Sequence, residues 1–209
     1  MELETPKQVY SKFLEIISNE KESPELLEYE ETLVECLIEQ IEHMESNIER
    51  LKNKLDQFCM EQHRAEIDRL QFTVNVYLRT RIQKIEENCT SLIRILKNDS
   101  QRAQKLMSAG EIKYLDSYFV NIETYLSESV LGKLDIPIRD ASQTFSLLEL
   151  PDNDEDAYVF VKALKKTDVL VESEDGDQES VTLEPDSIHF LPYSSVRNFL
   201  NQQNNIVLM

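Results

Sequence analysis

Glycine is scarce in this 209-residue chain: Gly110, Gly132 and Gly176 each stand alone. No phosphate-cradling Walker loop or dinucleotide fingerprint can be assembled from them. The three cysteines, Cys36, Cys59 and Cys89, are an odd number lying 23 and 30 residues apart, a spacing that fits neither a paired disulfide framework nor a zinc ligand pattern. Reduced thiols and an intracellular protein are expected. His43, His63 and His189 are widely separated and none falls in an H-E-x-x-H pattern, so no residue is singled out as catalytic, metal-binding or cofactor-binding. Met1 is followed by polar and acidic residues, and nowhere do about eighteen apolar residues run together. Neither secretion nor a membrane span is expected, and neither a cofactor nor a small-molecule substrate.

Positive charge is short as well. Lysine and arginine number 22 against 40 acidic residues, a formal charge of −18. Residues 1–150 hold 28 acidic and 18 basic side chains, and residues 151–209 hold 12 and 4, so neither part is basic. Direct DNA binding by the lone chain is disfavoured, because the long-range field repels phosphate. Only a local patch would reverse that sign.

What is present is hydrophobic periodicity, in a chain long enough to bury a real core. Thr5-Pro6, a capping hydroxyl before a proline, opens a stripe of Val9, Phe13, Ile16 and Ile17 and predicts a helix of about fifteen residues. Ser23-Pro24 repeats the device. Beyond it Leu33, Leu37, Ile41, Met44, Ile48, Leu51 and Leu55 recur at steps of three and four, a long amphipathic helix. A third stripe runs through Ile67, Leu70, Val74, Leu78, Ile82, Ile85, Cys89, Leu92 and Leu96, a single rod of roughly 50 Å. No glycine or proline marks a turn between the second and third stripes, so one continuous helix stays open from local signals, and a break is expected at about Lys52 to Gln57. Asn98-Asp99-Ser100 reads as a loop, and Ile112, Leu115, Phe119, Ile122 and Leu126 define a fourth helix ending near Gly132. Four antiparallel helices would close a bundle.

From Leu134 the texture changes. Pro137 and Pro151 bracket a stretch with no sustained period, and the acidic run Asp152 to Asp156 follows. The expected organisation is a helical domain over 1–133, a linker over 134–156 and a small β domain over 157–209. The β runs are Tyr158 to Val161, Val169 to Val171, Val181 to Leu183 and Ile188 to Leu191, spaced as small antiparallel strands. Ser194-Ser195 caps a short helix carrying Val196, Phe199 and Leu200, and the apolar end Ile206 to Met209 should be buried or paired. The fold class is mainly α, an N-terminal bundle of long helices with a small C-terminal β domain, α+β overall. So short a β domain needs support from the bundle or from another chain.

Local motifs have bland explanations. The run from Asp152 begins like an EF-hand loop, but its sixth position is Ala157 and its twelfth Ala163, so a solvated acidic linker explains it better. Asp175-Gly176 reads as a hairpin tip. One charge feature stands out: Arg79, Arg81, Lys84, Arg94, Lys97, Arg102 and Lys105 face only Glu86, Glu87 and Asp99 within positions 79–105. A solvated helix face, an interface for acidic helices of a partner, and a DNA contact all remain open for it. A generic acidic helical adaptor with a β recognition module would also satisfy these patterns.

Four blocks carry a resemblance. They are Pro24-Glu25-Leu26-Leu27-Glu28 with Val34-Glu35, Glu39-Gln40 and Glu42-His43-Met44-Glu45; then Tyr77 through Glu86; then Glu123-Thr124-Tyr125-Leu126; and Pro151 with Tyr158-Val159-Phe160-Val161. In this order they resemble the Sld-five family of subunits of the GINS DNA replication complex, over nearly the whole chain. The resemblance implies a non-catalytic nuclear scaffold in a heterotetramer with three sister GINS subunits. That tetramer would join the MCM helicase ring and the Cdc forty-five protein in initiation and elongation of DNA replication, and help place replicative polymerases. It implies structural pairing with acidic groups for Arg79, Arg81 and Lys84, favouring a partner over DNA. It also implies seating of the β domain through Tyr158, Phe160, His189, Ile206, Val207, Leu208 and Met209. These ten residues are the candidate subunit interface. Only Met1 to Glu4 precede the first helix, a departure from the acidic N-terminal extension that family members often carry and use to recruit other fork proteins.

Overall fold

The computed structural model describes residues 5–51, 56–129, 157–172, 178–202 and 205–209. Within them the chain is mainly helical, with a small C-terminal β region, as its patterning predicts. The proposed linker, the EF-hand-like run, Gly132 and the Asp175-Gly176 tip lie outside the described residues. The described chain divides into two compact units.

The first unit holds residues 5–23, 30–81 and 158–209. Helix α1, Pro6–Glu22, opens on Thr5, whose side chain accepts from the Gln8 backbone N–H while the Gln8 side chain returns to the Thr5 N–H. This capping box satisfies amides that the first turn leaves unpaired. The helix ends at Ser23 (φ −72°, ψ 137°), whose N–H still donates to the Asn19 carbonyl at 3.0 Å. Ser23-Pro24 therefore closes a helix instead of opening one, because the proline ring drives the preceding residue out of the helical region. Helix α2, Glu31–Leu51, buries Val34, Leu37 and Ile41, and helix α3 runs Gln57–Glu87.

The buried stripe of α3 differs in phase from the expected one. It passes through Ile67, Leu70, Val74 and Tyr77 to Arg81, Lys84 and Ile85, while Leu78 is half-buried and Ile82 exposed. Positions 67, 74 and 81 are two turns apart, so helical geometry places Arg81 on the inner face despite its charge. The predicted single rod is also interrupted, at Asn88 (φ −102°, ψ 22°), which separates α3 from helix α4, Cys89–Asn98.

The second unit holds residues 24–29 and 82–129 with Ala157. Asp99, expected in a loop, accepts the Arg102 N–H and starts a short helix, α5, Ser100–Leu106. Helix α6, Ala109–Ser129, begins after Ser108, which exchanges backbone–side-chain hydrogen bonds with Glu111. The core of this unit is Leu26, Ile85, Cys89, Leu92, Ile93, Ala103, Met107 and Leu115. Hydrogen bonds tie in the extended Pro24–Tyr29 segment, among them one from the Tyr29 N–H to the Lys105 carbonyl at 3.3 Å and one from Lys84 Nζ to the Glu25 carbonyl at 2.8 Å.

The β region, part of the first unit, contains β1 (Tyr158–Ala163), β2 (Thr167–Glu172), β3 (Gln178–Leu183), β4 (Ile188–Pro192), helix α7 (Tyr193–Gln202) and β5 (Ile206–Leu208). Three strands form an antiparallel sheet in the order β4-β1-β5, and β2 pairs with β3 antiparallel. Alternation along β1 buries Val159, Val161 and Ala163 and sends Tyr158 and Phe160 to the other face. Asp186, between β3 and β4, has φ 64°, and its N–H donates to the Ala163 carbonyl at 2.8 Å.

Candidate subunit interface

The outer face of the three-stranded sheet follows from its register. Phe160 stands opposite Phe190, and Lys162 opposite both Ile188 and Val207. Tyr158, Phe160, Ile188 and Phe190 are 58%, 55%, 56% and 56% exposed. The Phe190 ring lies 5.2 Å from that of Tyr158 and 4.8 Å from that of Phe160, between centroids. Met209, whose N–H donates to the Phe160 carbonyl at 3.0 Å, adds an exposed side chain. A contiguous aromatic face of this kind on a sheet is surface that packing against a further layer would remove from water.

The inner face is occupied by the protein itself. Ile206 and Leu208 are buried, and α1 closes the free edge of β5 with side chains. Ser18 Oγ donates to the Leu208 carbonyl at 2.7 Å, and the Leu208 N–H donates to Asn19 Oδ1 at 2.8 Å. The Ser23 and Tyr193 hydroxyls lie 3.2 Å apart in the same buried region. His189 is half-buried, with its Nε2 2.8 Å from Ser187 Oγ, and Val207 is half-buried on the outer side.

The basic candidates separate. Arg81 is fully buried, its Nη1 2.9 Å from Glu20 Oε2 and its guanidinium 5.6 Å from the Tyr77 ring centroid. Tyr77 packs edge-on against Phe13, with centroids 5.4 Å apart, and its hydroxyl accepts the Glu30 N–H. Lys84 is buried and reaches the Glu25 carbonyl. Neither side chain has surface to offer outside the chain, since the helical period turns both inward. Arg79 is exposed, and it continues a line of exposed Phe58, Ala65 and Phe72 at seven-residue spacing along α3. Residues two turns apart share a face, so the line is an apolar stripe ending in a cation.

Glu20, Ser18, Asn19, Ile188 and Phe190 were not singled out by the sequence patterns. Phe190 and Ile188 follow from the strand alternation once β4 is paired, whereas nothing local marks Glu20 as the partner of a residue 61 positions away. Among the described residues no group of three or more His, Cys, Asp or Glu side chains is placed to hold a metal ion, and no helix is long and apolar enough to cross a membrane.

Two family descriptions match the chain in order. The GINS complex protein helical bundle domain covers residues 10–130, and the DNA replication complex GINS protein SLD5 C-terminus covers residues 153–209. The chain belongs to the SLD5 family of GINS proteins. Its similarity extends across eukaryotes. The DNA replication complex GINS protein SLD5 of Bos taurus is 31% identical over 195 residues, 92% of this chain and 85% of the bovine one. That of Xenopus laevis is 31% identical over 199 residues, 93% and 87% of the two chains. The Dictyostelium discoideum protein is 29% identical over 184 residues, 87% and 83%. In SLD5 terms, the bundle description spans α1 to α6 and the C-terminal description spans β1 to β5.

Proposed function

We propose that this chain is a non-catalytic, nuclear scaffold subunit of a GINS heterotetramer. It buries helical and sheet faces against three sister subunits. Through that tetramer it joins the MCM ring and the Cdc forty-five protein in the replicative helicase during initiation and elongation of DNA replication, with replicative polymerases engaged indirectly. The observation that carries the reading is the ordered match of both SLD5 descriptions, helical domain first, over most of the chain. The exposed sheet face of Tyr158, Phe160, Ile188, Phe190 and Met209 and the Phe58–Arg79 line of α3 supply surfaces of the composition that subunit interfaces bury. Arg79 is the cation we assign to a partner carboxylate.

Co-expression tests this. With three sister subunits of the same species the chain should elute as a soluble 1:1:1:1 complex, and that complex should retain the MCM ring and the Cdc forty-five protein in a pull-down. A chain that stays monomeric beside its sisters would point instead to a free-standing adaptor.

A further inference from the structure

The basic patch of the sequence is divided by the fold. Arg81 and Lys84 are consumed internally, while Arg94, Lys97, Arg102 and Lys105, on the consecutive helices α4 and α5 of one compact unit, are all exposed. Each helix presents its two cations three residues apart, which places each pair on one helical face. The one carboxylate between them, Asp99, is engaged at the Arg102 N–H as the cap of α5. Lys97, Arg102 and Lys105 form no ion pair within the described residues. Lys97 is instead held 5.3 Å above the Phe119 ring of α6, a half-buried aromatic that borders the charges with apolar surface.

We propose that α4, α5 and the Phe119 shoulder of α6 form a docking surface for a short acidic segment of a protein partner carrying at least one apolar side chain. Size and sign select this occupant. The four cations sit on two helices of ten and seven residues, only about 15 and 10 Å long at helical rise, and in physiological salt a surface charge is screened beyond about 8 Å, so the patch acts locally. A short acidic peptide ends where the patch ends. A DNA duplex, with one phosphate charge per roughly 1.7 Å, runs past it onto a molecule whose net charge is −18. The stem of the exposed Lys97 and the half-buried Phe119 ring beneath it give an apolar side chain surface to lie against and give a phosphodiester backbone nothing. It is built from other residues than the sheet face and the α3 line assigned above to sister subunits.

The test uses the full chain and a fluorescein-labelled twelve-residue peptide alternating Glu-Glu-Leu-Asp, with a duplex oligonucleotide as the second probe. Polarisation should report saturable peptide binding that weakens with added salt. The K97E/R102E/K105E triple variant should lose about tenfold or more in affinity, because three attractive contacts are lost together and reversal adds repulsion. Lys166→Glu, an exposed lysine of the β region, should leave it unchanged. Circular dichroism of the triple variant should match the parent, since all three side chains are exposed. Peptide binding that survives the triple reversal, or no binding by the parent, overturns the proposal. A parent chain that prefers the duplex to the peptide overturns it in favour of nucleic acid.

Discussion

Glu20 of α1 and Arg81 of α3 form an ion pair with an N···O distance of 2.9 Å, with side chains 1% and 0% exposed. Withdrawing two charges from water is costly, and the attraction between them offsets that cost only while both are present. Glu20→Ala should therefore destabilise the chain by about 3–5 kcal/mol, and Arg81→Met by a similar amount. The double replacement by apolar residues should recover most of the loss. A double-mutant cycle by urea denaturation checks this, and additive single effects would show that the two side chains do not depend on each other.

The β5 edge gives a second prediction. Asn19→Ala leaves the buried Leu208 N–H without its acceptor, a loss of about 1–3 kcal/mol. Removing Ile206 to Met209 takes away the strand itself and bares the apolar side of β1. Thermal unfolding should register both changes in that order of severity, and recovery of the co-expressed complex should fall with the deletion. Full recovery would separate assembly from the seating of this strand.

Phe160 and Phe190 are largely exposed in the chain and pair with each other across β1 and β4, so the double change to Asp and Ser should cost its own stability only about 1–2 kcal/mol, the loss of cross-strand aromatic contact. In co-expression the same change should deplete the chain from the complex. Gel filtration distinguishes the two effects. A normal complex from this variant would remove the sheet face from the assembly interface.

Cys36 and Cys59 are exposed and Cys89 is buried, where loss of hydration pushes its thiol up to about 11. Since the thiolate is the reactive form, maleimide at neutral pH should label two cysteines in the native protein and the third only in denaturant. Intact mass gives the stoichiometry directly.

Tyr114 donates its hydroxyl to Glu86, and that hydrogen bond, followed by burial, holds its ionisation up at about 12. Tyr118, stacked on it at 5.9 Å, is also raised, chiefly by burial. The folded state thus favours the neutral phenol. The contribution is complete below the ordinary phenol range near 10 and fades as pH rises through about 12. Absorbance at the tyrosinate band should show a late-titrating population that Tyr114→Phe diminishes.

The β strands were legible because alternation is a short-range signal: Tyr158-Val159-Phe160-Val161 names its two faces without knowledge of any neighbour. Helix α2 was legible for the same reason. The phase of α3 was not, because Arg81 looks like a solvent residue until a carboxylate is known to meet it, and Leu78 and Ile82 offer an apolar stripe one residue out of step. Ser23-Pro24 is ambiguous in sequence because the same dipeptide both starts and stops helices, and only the flanking contacts decide. Helix α5 is seven residues long, shorter than two full periods of any stripe. Of the candidate interface, the exposed Tyr158, Phe160 and Met209 could be found from the strand pattern. The inward turn of Lys84 required the fold.

The clasp of Ser18 and Asn19 on Leu208 joins groups 190 and 189 positions apart. At ordinary rates of synthesis the partner of α1 emerges roughly 10–40 s after the helix itself. For that interval the Asn19 amide and the inner wall of α1 have no strand to hold. An unfinished chain cannot close this unit, so a prematurely terminated product carries its defect at the opposite end of the sequence from the break, open to whatever inspects newly made proteins.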